Sequence, residues 1–173
     1  MKKNMKVFGI IPAHLGSIRF KRKILHNILG LPMIEHVRRR AVKSQLLDEV
    51  FIASGDDEII EIVSRNGGKV IQTFDYHQNG TSRVAESIAQ KDCSHVLIIQ
   101  GDEPLIQYDH ILRMKEAIYK NPEIDAWNST SKIIHENDLF EKNVVKAAVS
   151  EENRILYCFR NSPSFCEIKN QLE

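Results

Sequence analysis

The chain has 173 residues, with 24 basic against 23 acidic side chains and a net charge of +1. That length suits one domain, residues 1–173, burying about 70% of its unfolded surface. The even charge argues against a general polyanion binder, so no nucleic-acid partner is expected. No apolar run nears the ~20 residues of a membrane span, so no membrane partner is expected either. The three cysteines, Cys93, Cys158 and Cys166, are odd in number and lack metal-type spacing. With no signal-peptide pattern at the start, they fit reduced thiols in a cytoplasmic protein.

The first predicted element is a buried strand, Val7-Phe8-Gly9-Ile10-Ile11, stopped by Pro12, which cannot donate to a ladder. A loop of small residues follows, carrying His14, Arg19, Lys21, Arg22 and Lys23. Such a loop suits phosphate through backbone N–H groups and charged forks, although a solvated basic loop at a strand end has the same composition. It has neither a GxxxxGK nor a GxGxxG pattern.

A helix over 33–42 places Ile34, Val37 and Ala41 on one face, with Pro32 in its first turn. A second buried strand covers 49–54, ended by Gly55-Asp56-Asp57, and a helix runs from Glu58 to Arg65 with Ile59, Ile62 and Val63 inward. Gly67-Gly68 stops that helix before a third strand at 69–72. Residues 82–90 read as a helix with Val84, Ala85 and Ile88 apolar, and Thr81 or Ser82 suits its N-cap. His95 to Gln100 reads as a central strand, followed by a helix over 109–120 with Ile111, Leu112, Ile118 and Tyr119 inward. Later strands are expected at 126–130, 144–149 and 155–159. Strand–helix alternation through residue 120 predicts an α/β fold: a mostly parallel, Rossmann-like sheet with helices on both faces.

In such a sheet, ligands sit outside the carboxyl ends of the strands. That rule puts the basic loop, Gly55-Asp56-Asp57 and Gln100-Gly101-Asp102-Glu103-Pro104 around one crevice. Cations facing a strand-end carboxylate suit nucleotide–metal chemistry, because magnesium takes one or two carboxylates plus substrate phosphates. Gly-Asp-Glu-Pro is also an ordinary turn composition. The stretch from Tyr76 to Arg83 gathers His, Gln, Asn and Arg, which would suit a base or a sugar, or serves as a capped loop.

Several stretches together resemble one family. They are Ile10-Ile11-Pro12-Ala13 with Gly16-Ser17-x-Arg19-x3-Lys23, His77-Gln78-x-Gly80-Thr81-x-Arg83-x-Ala85-Glu86, and Gln100-Gly101-Asp102-Glu103-Pro104. Asn143-Val144-Val145-Lys146 and Tyr157-x2-Arg160 follow in the same order. The pattern is similar to the 3-deoxy-manno-octulosonate (Kdo) cytidylyltransferases, or CMP-Kdo synthetases. The resemblance implies transfer of CMP from CTP to a Kdo-like keto sugar acid, with release of pyrophosphate, in lipopolysaccharide precursor synthesis. It implies Mg2+ as cofactor, CTP and the sugar acid as partners, and allows a homodimer. On matching positions, Arg19, Lys23 and Asp102 would be catalytic, with Asp102 the metal ligand. Ala13, Gly16, Ser17, His77, Gly80, Thr81, Arg83 and Gln100 would bind substrate or nucleotide.

The chain also departs from that pattern. His14 stands where the family usually has Arg, and Lys21-Arg22-Lys23 where Pro-Gly-Lys or Pro-Arg-Lys is usual. The usual Asp ending the second strand falls on Gly55, the usual Arg after Thr73 is Phe74, and the usual acid before Arg83 is Ser82. The family runs on for roughly 70–80 further residues, an expectation consistent with ordinary domain sizes. That part would hold a second metal-binding Asp and much of the dimer and sugar-binding surface. A shortened homologue that binds nucleotide or a partner without turnover, and a relative acting on a sialic-type acid, are the alternatives.

Overall fold

The computed structural model describes residues 5–17 and 20–161. Two compact units emerge, Met1–Trp127 and Asn128–Glu173, where the sequence suggests one domain, and each is taken by itself.

In the first unit, strand β1 (Val7–Pro12) leads through a 3-10 turn at Lys23–Leu25 to a small hairpin, β2 (Asn27–Ile28) and β3 (Leu31–Pro32). Helix α1 (Met33–Lys43), β4 (Glu49–Ser54), α2 (Asp57–Arg65), β5 (Lys69–Gln72), α3 (Gly80–Ile88), β6 (His95–Ile98) and α4 (Tyr108–Lys120) follow. The four long strands are all parallel, in the order β5-β4-β1-β6. The expected α/β sheet is therefore present, with one correction. β6 is not central: among the described residues it lies at the sheet's edge, with Ile98 36% exposed. Its apolar run reads as buried on both faces, and pattern alone does not distinguish that from an edge strand covered on one side.

Alternation along β1 explains the layers, because successive side chains point to opposite faces. Ile11 packs with Ile34 and Val37 of α1, Ile59 and Val63 of α2, and Ile111 of α4. Phe8 and Ile10 pack on the other face with Ala53, Val84 and Ile88, under α3. The chain winds from β1 outward to β4 and β5, then crosses under the sheet through α3 to β6 on the far side of β1. Right-handed crossovers in opposite directions require helices on opposite faces.

Helix faces differ from the expected ones at two places: Ala85 is exposed and Tyr119 is 44% exposed, each just past the buried stripe. The N-cap of α3 is Asn79, whose side chain accepts from Ser82 N–H at 2.9 Å, rather than Thr81 or Ser82. Pro32 caps α1 instead of lying in its first turn. Residues 126–130 form no strand. Among the described residues no helix is long and apolar enough to cross a membrane.

In the second unit, α5 (Asn137–Phe140) precedes an antiparallel pair, β7 (Lys146–Val149) and β8 (Ile155–Phe159). The strands expected at 144–149 and 155–159 thus form a separate ribbon. Two cations hold the turn before it. Buried Lys146 Nζ donates to Glu141 O and Val144 O, and Arg160 donates to Lys142 O and Asn143 O.

The β2–β3 hairpin carries a local strain. Leu29 and Gly30 have φ of 49° and 88°, a type I′ turn that normally takes Asn-Gly, and Leu29 is 96% exposed. A leucine in the left-handed region is disfavoured and here gains no packing. Leu29→Asn is expected to raise unfolding stability by about 1 kcal/mol in urea melts, with an unchanged slope. An unchanged or lower midpoint would contradict the turn geometry.

Candidate functional site

β1 lies at the point where the winding direction reverses, between β4 and β6. Ligand crevices form at such points. A cleft of about 750 Å3 opens here, at the carboxyl ends of the strands. Four strand-end segments line it: Pro12–His14 with Gly16 and Ser17 at the end of β1, Asp56 after β4, residues 75–80 after β5, and 100–102 after β6, with Lys23 and Ile24 at one side.

The segments meet at two glycines, Gly55 packing against backbone and Gly80 against a proline ring. A Cβ on Gly55 would lie 2.7 Å from Asp75 Cα and 2.8 Å from Phe74 O. A Cβ on Gly80 would lie 3.1 Å from the Pro12 ring. The first closes the β5 loop onto the end of β4, and the second brings the start of α3 against the end of β1.

The loop after β1 is shaped by side-chain acceptors. Leu15 N–H donates to Asp56 Oδ2 at 3.1 Å, Gly16 N–H to His14 Nδ1 at 3.1 Å, and Ser17 N–H to Leu15 O at 2.9 Å. Asp56 is the N-cap residue of α2 but makes no side-chain cap bond, its carboxylate being turned to the loop. A loop whose N–H groups are engaged internally relies on charged side chains to hold an anion. Lys23 lies beside Asp102 at the cleft's opposite edge, their ammonium and carboxylate paired.

The β5 loop is held from below by α3. Arg83 is 3% exposed and donates to Thr73 Oγ1 at 2.6 Å, Phe74 O at 3.1 Å and Asp75 O at 3.0 Å. Glu86 accepts from Phe74 N–H at 3.0 Å and pairs with His77 Nε2 at 2.6 Å. These bonds suit a loop that would otherwise leave buried polar groups without partners.

Of the sequence-selected residues, Ala13, Gly16, Ser17, Lys23, His77, Gly80, Arg83, Gln100 and Asp102 line the cleft. Thr81 is exposed in the first turn of α3, outside the lining. Arg19 lies outside the described residues. Arg83 reaches the cleft wall with its guanidinium engaged by the loop, so its described bonds are those of a strut. Asp56, Asp75, Tyr76 and Asn79 also line the cleft, and Glu86 stands behind it. The strand-end rule brings Asp56 to this crevice and the family pattern includes Glu86, but neither signal tells what these carboxylates bond.

Among the described residues, no group of three or more His, Cys, Asp and Glu side chains is arranged to hold a metal by itself. Asp102 offers a half-exposed carboxylate in a cleft that also holds Asp56 and Asp75. Such a single carboxylate fits magnesium, which completes its shell with water and substrate phosphate oxygens.

A parallel sheet wound both ways from its central strand, with these strand-end loops, has the fold of the α/β nucleotidyltransferases. Residues 8–173 match the family described as Cytidylyltransferase. The chain is 36% identical over 170 residues to a 3-deoxy-manno-octulosonate cytidylyltransferase of Geobacter metallireducens, covering 98% of this chain and 67% of that protein. The solved structure of CMP:2-keto-3-deoxy-manno-octonic acid synthetase complexed with CTP matches with a TM-score of 0.82 and 30% identity, covering 94% of this chain and 68% of that one. A cytidylyltransferase structure from Leptospira borgpetersenii (TM-score 0.60, 22% identity, 69% and 51% covered) shares the fold. The chain belongs to the cytidylyltransferase family. It spans about two thirds of the length of the Geobacter metallireducens protein and of the CTP-complexed synthetase.

Gly55→Ala is expected to lower stability by about 1–3 kcal/mol, the usual cost of overpacking, because the clashing atoms are backbone. Chemical denaturation measures it, and an unaltered midpoint would refute the close approach of the β5 loop.

Proposed function

We propose that this chain is a cytidylyltransferase of the CMP-Kdo synthetase type, transferring CMP from CTP to a Kdo-like 3-deoxy keto sugar acid and releasing pyrophosphate. The reaction would serve lipopolysaccharide precursor synthesis in the cytoplasm. The observation that carries the reading is the Lys23–Asp102 pair at the edge of a switch-point cleft, in a fold shared with a CTP-complexed synthetase.

In this reading the triphosphate would lie along the loop after β1. The Lys23 ammonium would leave Asp102 for the phosphate oxygens, where Arg19 would add a second charge. Asp102 would then be free to hold Mg2+ together with those oxygens. Bound there, the ion would neutralise charge on the phosphates. The anomeric hydroxyl of the sugar acid would attack the α-phosphorus, forming one P–O bond as the bridge to the β-phosphate breaks. The hydroxyl proton would pass to solvent. Positioning and electrostatics carry most of such a transfer, so no covalent nucleophile is required. Gln100, Ala13, Gly16, Ser17 and the 77–83 segment would contact nucleoside or sugar.

Pyrophosphate release with CTP, Mg2+ and Kdo tests the reading. Asp102→Asn is expected to lower the rate by about 100-fold or more, by analogy with the loss of one electrostatic stabiliser, while CTP still raises the melting temperature. Release that is insensitive to Asp102→Asn would overturn the site assignment. CTP binding with no release from the unaltered chain would favour nucleotide binding without turnover. Release with a sialic-type acid but not with Kdo would redirect the acceptor.

A further inference from the structure

His77 is a cleft-lining imidazole whose two ring nitrogens have unequal partners. Nε2 lies 2.6 Å from Glu86 Oε2, a short contact that a carboxylate makes only with a donor. Nδ1 lies 3.3 Å from Ser82 Oγ, a longer contact to a hydroxyl whose single hydrogen Nδ1 must share with Asn79 O, 2.9 Å from the same oxygen. Glu86 therefore fixes the proton on Nε2 and the plane of the ring, leaving Nδ1 as the more available nitrogen. The same carboxylate accepts from Phe74 N–H, at 3.0 Å to Oε1 and 3.2 Å to Oε2. One side chain thus holds both the backbone of the cleft-lining loop and the orientation of its histidine. The His77 side chain is 12% exposed, so the ring has little freedom to turn away.

We propose that Glu86 is a positioning residue for the transfer reaction, holding His77 as the Nε2–H tautomer so that Nδ1 meets a hydroxyl of the bound nucleoside or sugar acid. This rests on the cytidylyltransferase reading above. Glu86 lies outside the cleft lining and acts through His77. Its role is the one a carboxylate plays behind a ligand-facing histidine: the group on one nitrogen dictates what the other can do.

Glu86→Gln separates this role from simple loop anchoring. The amide oxygen still accepts from Phe74 N–H, so the loop keeps its anchor. With that oxygen at the Oε1 position, the amide N–H2 faces His77 Nε2, which then becomes an acceptor as the proton moves to Nδ1. Glu86→Ala removes both functions and serves as the structural reference.

Two measurements decide. In the ligand-free chain, nitrogen-15 NMR of the imidazoles, recorded above the ordinary histidine range, reads the tautomer directly. His77 is expected to carry hydrogen on Nε2, and to lose it from Nε2 in Glu86→Gln. A His77 with unprotonated Nε2 in the unaltered chain would overturn the proposal, whatever the enzymology shows. In turnover with CTP, Mg2+ and Kdo, Glu86→Gln is expected to lower kcat/KM about tenfold, equivalent to one hydrogen bond, at an unchanged melting temperature. A fully active Glu86→Gln beside an unstable Glu86→Ala would reduce Glu86 to a loop anchor and overturn the proposal. If the unaltered chain turns over no CTP, the cytidylyltransferase reading fails, and NMR still decides whether Glu86 sets the tautomer.

Discussion

Strand β1 is the member on which the first unit depends. It alone is paired on both sides with strands reached by opposite windings, β4 on one flank and β6 on the other. Its side chains alternate between the two cores, Ile11 toward α1, α2 and α4 and Ile10 toward α3. The reversal leaves an opening above its carboxyl end that no crossover covers. Pro12 ends the ladder there, and every segment of the cleft is measured from it.

The cleft is built in two layers. Its wall is backbone, brought close by Gly55 and Gly80 and tied by Arg83 and Glu86 from α3 and by Asp56 from the start of α2. Its chemistry is carried by fewer groups, chiefly Lys23 and Asp102. A wall held by buried, bonded polar groups resists deformation, because breaking any one bond leaves a partner without water. The paired Lys23 and Asp102 are 34% and 41% exposed, so exchanging each other for incoming phosphate or cation costs little.

Much of this was legible in the chain. The alternation of apolar runs and amphipathic stretches marked β1, α1, β4, α2, β5 and α4 near their true limits, since period 2 and period 3.6 are hard to confuse over such lengths. The strand-end rule gathers Lys23, Gln100 and Asp102 around one opening. What stayed hidden depended on contacts distant in sequence. Nothing local tells that Arg83 faces inward to three acceptors on residues 73–75, or that Asp56 bonds Leu15 instead of capping its own helix. The edge position of β6 was equally unreadable, because strand order is a property of pairing. Gly55 looked like a lost carboxylate in the family pattern. In the structure it is the position where the loop at Phe74 and Asp75 needs the space.

The loop after β1 separates two kinds of inheritance. Its shape comes from His14, Asp56 and the backbone, which engage the N–H groups of residues 15–17. Its charge comes from a different residue, Lys23, further along the chain. Drift at one set therefore leaves the other intact. A lineage could retune how strongly the loop attracts an anion without altering its contour, or reshape the contour while keeping the attraction.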